Sequence, residues 1–361
     1  MEREGSSHRN RQARVRSMLP EFHLDGIIFF NLRTIRYLSG FSGSDGVLLL
    51  LPDRTILLVD GRYKTQAGGQ ADGVEIRLFE DKVTGLLEAL LDGGQRNFGF
   101  DASALSVDLY LSLKNSFGDR NLSPLGEEVQ HLRAVKEDGE VDLMRKAAAI
   151  SSHSVMAIFP RIVPGVSERE LAAELEYLLR KNGSDGPSFP IIAASGENSA
   201  LPHAAPGPRR IQEGDAVIID CGSIFEGYCS DETVTVFVGP MDPEKKEAYT
   251  VVREALLEAL DAVRPGVSCR EVDGKARQRI ERAGWGPFFS HGTGHGVGLD
   301  VHEAPRLSSR SDEVLEEGMV VTVEPGVYFP GKWGIRIEEM VLVQRDGMEI
   351  LSRMPKELKV L

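Results

Sequence analysis

At 361 residues, with 41% hydrophobic and 27% charged content, the chain has the composition of a globular protein long enough for two domains and a sizeable core. Its longest apolar runs, such as Val47 to Leu51, are far too short to span a bilayer, and a formal charge of −13 argues against nucleic acid or an anionic membrane as the main partner, although bound metal could neutralise part of that acid. The cysteines Cys221, Cys229 and Cys269 are too sparse, and odd in number, for a disulfide framework, so a reducing cytoplasm is the expected setting.

The first sixteen residues carry five Arg against two Glu and no apolar stretch follows them, which reads as a frayed polar terminus rather than a secretory signal. Short buried strands are expected at 26–30, 47–51, 55–60, 75–79 and 98–101, alternating with helix-like stretches around 84–91 and 107–115. A polar, turn-rich segment over 121–128 precedes a long amphipathic pattern in which Val141, Met144, Ala148, Val155 and Ile158 fall at helical spacing. The domain boundary is placed near Leu132, giving a mixed α/β domain over 1–131 and a second domain over 132–361.

The second domain is written twice. Pro164-Gly165-Val166-Ser167-Glu168-Arg169-Glu170 matches Pro265-Gly266-Val267-Ser268-Cys269-Arg270-Glu271. Each turn leads to a Ser that can cap a helix, with a Glu three residues on to close a capping box. Both helices run to a glycine at the same distance, Gly183 and Gly284, suited to a left-handed C-terminal cap. Further on, 213–222 aligns without a gap on 317–326: a turn, a buried strand, an acid at the strand end (Asp220, Glu324) and a glycine two residues later. The expected architecture is α+β, two related halves facing each other with the strand-end acids at the junction.

After Asp220 the chain turns through Gly222 to Gly227 and returns as a strand over 233–238 with Asp231 just before it. After Glu324 it turns through Pro325, Gly331 and Gly334 and returns as a strand over 335–343 with Glu338 inside it. An acid after four apolar or β-branched residues is costly to bury without a partner. Asp220 and Glu324 are two such acids, and with Asp231 and Glu338 they make four carboxylates that repel at close range unless cations intervene; two divalent ions would cancel their charge. Paired ions of this kind, ~3.5–4 Å apart, activate hydroxide as a nucleophile near neutral pH. First-row metals usually add an imidazole, and 291–303 offers His291, His295 and His302. Its alternating glycines disfavour a helix, so the His-Glu-x-x-His arrangement of a helical zinc protease does not apply, and Gly-x-Gly-x-x-Gly is not satisfied. A phosphate loop over 326–332 fails because Trp333 stands where the Mg2+-binding hydroxyl is needed. No Gly-x-Ser-x-Gly elbow is present.

Together, the 220–222 and 228–231 segments, the His-Gly-Thr-Gly-His-Gly-x-Gly run followed by His302-Glu303, the Val323-Glu324-Pro325-Gly326-Val327-Tyr328 segment and Gly334-Ile335-Arg336-Ile337-Glu338 resemble the proline-specific metallopeptidases of the pita-bread fold, the Xaa-Pro aminopeptidases and Xaa-Pro dipeptidases. Tyr37-Leu38-Ser39-Gly40-Phe41-Ser42-Gly43-Ser44 and Asp60-Gly61-Arg62-Tyr63 resemble the creatinase-type domain that precedes the catalytic one in these enzymes. The resemblance spans essentially the whole chain. It implies a creatinase-type amino-terminal domain followed by a pita-bread domain with an internal pseudo-twofold repeat.

By the same resemblance, Asp220, Asp231, His295, Glu324 and Glu338 are the metal ligands for two divalent ions per chain, Mn2+ or Co2+ ahead of Zn2+. His203 and His302 fall to substrate and the tetrahedral intermediate with His291 nearby, and Glu324 also to proton transfer. Thr233 and Arg336 stand behind the ligands, Arg336 orienting Asp220. Phe189, His302 and Tyr328 are candidate walls for a proline pocket, and Arg306 for a dipeptide carboxylate. One departure is Val234, where the family commonly has Arg. The expected activity is hydrolysis of the bond between an amino-terminal residue and proline, in a cytoplasmic homodimer that binds neither nucleic acid nor membrane. The competing expectation is a non-peptidase or binding-module member of the same fold, which typically lacks several of the ligands retained here.

Overall fold

The computed structural model describes residues 7–90 and 94–361. Residues 1–6 of the expected polar terminus, and Leu91 of the expected 84–91 helix, lie outside them. The chain divides into two compact units, Met1–Leu132 and Arg133–Leu361.

The first unit is built on a six-stranded sheet with strand order β4-β3-β2-β1-β5-β6, where β1 is Gly26–Phe29, β2 Val47–Leu50, β3 Thr55–Val59, β4 Glu75–Leu78, β5 Asn97–Asp101 and β6 Asn121–Leu125. The three central strands β1 to β3 are buried at every residue, which is why they read as unbroken apolar runs instead of alternating ones. Helices α1 (Ser7–Met18), α2 (Leu32–Ser39), α3 (Lys64–Gln70), α4 (Lys82–Ala89), α5 (Val107–Ser116) and the short α6 (Glu127–Gln130) complete the unit. Leu86 of α4 and Leu113 of α5 pack with Ile28, Leu49, Leu58 and Phe98 in its core.

Two expectations are corrected here. From Ser7 onward the polar terminus is helical, because Arg11 and Gln12 bury their stems while Arg11 Nη1 donates to Tyr37 O (3.0 Å) and Gln12 Nε2 to Leu38 O (2.8 Å). The polar segment over 121–128 begins with a strand: β6 pairs parallel with β5 along its full length. It lies at the sheet edge, where polar residues and Pro124 are tolerated because one side needs no ladder donor.

In the second unit, α7 (Asp138–Ile158) is followed by two related halves. The helices α8 (Glu168–Lys181) and α10 (Cys269–Arg282) begin at Ser167 and Ser268, whose side chains accept from Glu170 N and Glu271 N. Of these two helices, the reciprocal capping box closes in α8 and not in α10. A third helix, α9 (Pro243–Ala262), links the halves in sequence and packs on α10. Glycines Gly165 and Gly266, Gly183 and Gly284, and Gly214 and Gly318 all have left-handed φ, between 81° and 100°. The turn before each helix is tied to the turn before each strand in the same way, Gly165 N to Ile211 O and Gly266 N to Leu315 O, both 2.9 Å. The repeat is therefore a repeat of backbone geometry as well as of letters.

The strands of this unit form four sheets. β8 (Ile192–Ser195), β9 (Ala216–Cys221) and β12 (Glu232–Phe237) make one, in the order β12-β9-β8. β13 (Gly294–Gly296), β14 (Glu303–Leu307), β15 (Val320–Val323), β18 (Glu339–Gln344) and β19 (Gly347–Ile350) make another, in the order β14-β13-β15-β18-β19. Small ribbons join β7 (Gly186–Pro187), β10 (Ser223–Phe225) and β11 (Tyr228–Cys229), and β16 (Gly326–Phe329) with β17 (Trp333–Arg336). The continuous strand expected over 335–343 is broken: β17 and β18 belong to different sheets, and Glu338 sits in the break.

Candidate metal centre

Asp220 occupies the penultimate position of β9 and lies opposite Thr233 of β12. Asp231 immediately precedes β12, Glu324 follows β15, and Glu338 is held in the β17 to β18 break by Glu338 N donating to Thr233 O at 3.1 Å. Asp220, Asp231 and Glu338 each present a carboxylate oxygen within 4.8 Å of the others. His295 Nε2 stands 3.6 Å from Asp231 Oδ2 and 3.5 Å from Glu324 Oε1. The five residues singled out as ligands are thus one cluster.

Glycines let the histidine reach it. A Cβ at Gly294 would lie 2.0 Å from Thr322 O, and one at Gly296 2.1 Å from Ala304 O. Only glycine allows β13 to pass between β14 and β15 at that spacing. Residue 293 is anchored as firmly: Thr293 N and Oγ1 both donate to buried Asp273 (3.1 and 2.9 Å), and Thr293 O accepts from Glu324 N at 2.7 Å. Arg277 pairs with Asp273 and donates to Phe289 O and His291 O.

Behind the acids, Arg336 Nη2 donates to Asp220 Oδ2 at 2.5 Å, Arg336 Nε to Thr233 Oγ1 at 3.3 Å, and Arg336 Nη1 to Tyr328 OH at 2.7 Å and Pro202 O at 3.1 Å. Thr233 Oγ1 donates to Glu338 Oε2 at 2.6 Å. Burial opposes the Arg336 charge, yet Tyr328, Asp220 and Glu324 outweigh it and hold its pKa well above the usual value. Val234 points the other way. It packs with Val217, Ile219 and Leu171 in an apolar cluster, so no cation is missing from the acid-bearing face at that position.

The electrostatics ask for positive charge. Burial, then Glu338, Asp220 and Glu324, push the Asp231 carboxyl well above its ordinary range. Burial, then Glu324 and Asp220, do the same to Glu338, and burial raises Glu324 to about 7 despite Arg336. Burial lowers His295 to about 4, which keeps its imidazole neutral and able to ligate. Asp220 Oδ1 is buried and accepts no hydrogen bond, an orphaned lone pair of the kind a cation satisfies. A donor set of carboxylate oxygens and one neutral imidazole fits divalent first-row metals.

The other candidates surround this cluster. His302 is exposed, its ring centroid 4.3 Å from that of His295. Burial, then Arg306 and His203, lower its pKa. His203 is exposed and close enough to influence both His302 and His291. His291 is held at Nε2 against Tyr328 OH (2.9 Å), and burial lowers its pKa to about 4. Tyr328 is only 5% exposed with its hydroxyl between His291 and Arg336, so it braces the centre more than it lines an open pocket; burial pushes its phenol up to about 12. Half-buried Phe189 follows Ser188, which bonds to Gly222 O and Ser230 O beside the first pair of acids. Arg306 faces His295 across the β13 to β14 register. Its backbone N–H donates to Glu313, and its exposed guanidinium pairs with no acid among the described residues.

Sequence reasoning missed Glu168, Asp273 and Arg277. Fully buried Glu168 accepts from Ser195 N, Ser195 Oγ, Asn198 Nδ2 and Gly207 N, at 2.8 to 3.1 Å, and so closes the loop that carries His203. The signal was present but ambiguous, since an acid in the first turn of a helix is commonly a solvated dipole partner.

Comparison with known proteins places these features. The profile of Metallopeptidase family M24 matches residues 142–345, and that of the Creatinase/Prolidase N-terminal domain matches residues 11–135. The chain is 35% identical over 335 residues to an Xaa-Pro dipeptidase of Pyrococcus horikoshii, covering 93% of this chain and 94% of that one. Among solved structures it superposes on an Xaa-Pro dipeptidase from Bacillus anthracis with a TM-score of 0.95 at 40% identity, covering 98% of this chain and 100% of the other. It superposes on an X-Pro aminopeptidase from Thermotoga maritima with a TM-score of 0.90 at 36% identity, over 97% and 99% of the two chains.

Proposed function

The chain belongs to metallopeptidase family M24, with a creatinase/prolidase amino-terminal domain ahead of its catalytic one, and from that premise we propose that it is an Xaa-Pro dipeptidase working with two divalent ions. Asp220, Asp231, His295, Glu324 and Glu338 would hold the ions, with Mn2+ or Co2+ ahead of Zn2+. Bound there, the metals supply Lewis-acid polarisation of the scissile carbonyl and a source of hydroxide near neutral pH.

The remaining chemistry falls to the chain. Neutral His302, beside His295, and exposed His203 donate hydrogen bonds to the carbonyl oxygen as negative charge develops on it. A Glu324 carboxyl oxygen would take up the proton that the attacking water loses and pass it to the proline nitrogen as the C–N bond breaks. That nitrogen carries no hydrogen in the substrate amide, so the pocket near Phe189 and His302 must accept an apolar ring without offering an acceptor to it. Arg336, Thr233, Tyr328 and His291 keep Asp220 and Glu338 oriented throughout.

The observation that carries the dipeptide reading is the guanidinium of Arg306, set across from His295 and pairing with no acid among the described residues. A dipeptide has its carboxylate one residue beyond the scissile bond, whereas a longer peptide has an amide there. Turnover of Xaa-Pro is expected to exceed that of Xaa-Pro-Yaa-Yaa, and Arg306→Ala should raise KM for the dipeptide roughly tenfold or more while leaving the longer peptide unchanged. Equal loss on both substrates would favour the aminopeptidase reading. A homodimer in the cytoplasm belongs to the same proposal; solution scattering tests the dimer and cell fractionation the location. No helix among the described residues is long and apolar enough to cross a membrane.

A further inference from the structure

The two strands that follow Asp231 and Glu338 belong to different sheets, so no ladder of their own holds them together. On the face that carries the ligand acids the seam is closed by Thr233 and Thr235. Thr233 takes Glu338 as described above, and Thr235 Oγ1 donates to Arg336 O at 2.8 Å while Arg336 N donates back to it at 3.1 Å. The opposite face of the seam is closed by charge. Two of the proposed ligands are followed by a buried glutamate, Asp231 by Glu232 (1% exposed) and Glu338 by Glu339 (7%), and strand alternation turns these away from the ligands.

Between them stands a single ammonium. Lys356 Nζ lies 3.6 Å from Glu232 Oε2 and 3.9 Å from Glu339 Oε2, and donates to Thr233 O at 3.5 Å. That carbonyl is the one Glu338 N also uses. Lys356 is itself fixed, since its carbonyl accepts from Arg253 Nε (3.0 Å) and Tyr249 OH (3.4 Å) of α9. Downstream, Phe237 N to Lys359 O (3.0 Å) and Leu361 N to Phe237 O (2.8 Å) lay the same segment along the end of β12. Serines complete the arrangement: Ser152 Oγ donates to Glu232 Oε2 and Ser352 Oγ accepts from Met340 N.

From this geometry we infer that Lys356 is a positioning residue for the metal centre: its ammonium clamps β12 to β18 from behind and thereby sets the separation of Asp231 and Glu338. Without the ammonium nothing on that face draws the two buried carboxyl groups toward a common partner, and the strands that carry them have only the threonine side of the seam left. The spacing of the donor oxygens, and with it cation affinity, depends on the clamp. This inference rests on the proposal that those acids bind divalent ions.

The test is Mn2+ binding by chelator competition, with fold followed by near-ultraviolet circular dichroism. Lys356→Met keeps the length of the side chain and removes its charge. It is expected to weaken Mn2+ binding roughly tenfold or more, the scale on which groups behind metal ligands act. Glu357→Gln, at a neighbouring exposed residue, is expected to bind as the unaltered chain does. The triple variant Glu232→Gln, Glu339→Gln, Lys356→Met leaves no charge buried on that face but does not restore the clamp, so it should fold and still bind weakly. Wild-type affinity in either folded Lys356 variant would overturn the inference, as would loss of fold in both, which would assign Lys356 to the fold alone. An unaltered chain that binds no Mn2+ would instead bring down the reading of the centre itself, a different result from a bound wild type with an equally tight Lys356→Met.

Discussion

The two halves of the catalytic unit share their turns, their helix starts and their left-handed glycines, yet they differ in what they bring to the centre. Counting from Asp231 and Glu338, the first half has Cys229 where the second has Arg336, and that one guanidinium reaches across to Asp220 of the first half. In the first half the nearby histidine, His203, is exposed on a loop tied down by Glu168. In the second, His295 lies on a strand braced through Thr293 by Asp273. Backbone geometry can repeat because each turn answers only to its own φ. Side chains at the junction cannot, because each must complement its own partner: where the second half has Arg336, the first has Cys229, buried with its thiol toward Leu299 O.

That contrast can be broken experimentally, most forcefully at the acids. Glu338→Ala and Asp220→Ala, one in each half, should both abolish peptidase turnover while leaving the chain folded, as judged by circular dichroism and activity on an Xaa-Pro substrate. If one half sufficed, one of the two variants would stay active. Next, Arg336→Met leaves Asp220 and Tyr328 without their cation; removing one partner of a buried pair costs about 3–5 kcal/mol, and kcat/KM should fall at least about 100-fold.

His291 tests the second half through pH. An unfolded imidazole titrates near 6.5 and the folded one near 4 because of burial. The unfolded state therefore binds the proton first, so the stability tied to this residue is intact above 6.5 and is lost as pH falls from 6.5 to 4. For such a gap the loss is at most roughly 3 kcal/mol. Denaturant titrations of chelated protein should show this slope, and His291→Gln should flatten it.

A finer contrast compares the two anchors. Asp273→Asn should lower metal stoichiometry through the strand bearing His295. Glu168→Gln should leave stoichiometry intact and act on KM and kcat through the His203 loop, each change costing about 1–3 kcal/mol of local hydrogen bonding. Equal metal loss in both would erase the distinction. Smallest of all, Gly165→Ala and Gly266→Ala meet open space, so only their left-handed φ opposes a side chain. Each should cost about 1 kcal/mol in thermal unfolding, and by the same amount if the halves are equivalent.

How legible all this is in the sequence varies by element. The turn glycines, the serine caps of α8 and α10 and the strands that end in Asp220 and Glu324 could be read because local rules govern them. The edge strand β6 could not, since Asn121, Ser123 and Pro124 have no strand preference of their own and are ordered by β5. Nor could α1, whose polar residues are buried only because Tyr37 and Leu38 offer carbonyls to Arg11 and Gln12. A break at Glu338 was invisible as well: the run from Ile335 to Val343 is strand-like apart from Arg336 and its two acids, and only the change of sheet reveals where it divides.

By itself the sequence determined the repeated framework and the residue types that a cation would need, because φ preferences, helix caps and the cost of burying charge are properties of short segments. The tertiary structure decided the rest: that Arg336 serves the opposite half, that Val234 turns into an apolar cluster, that Tyr328 braces more than it lines, and that Lys356 sits behind the strands that follow Asp231 and Glu338. Each of those depends on which residues meet across a seam between sheets, and pairing at such distances in sequence is set by packing, not by any local signal.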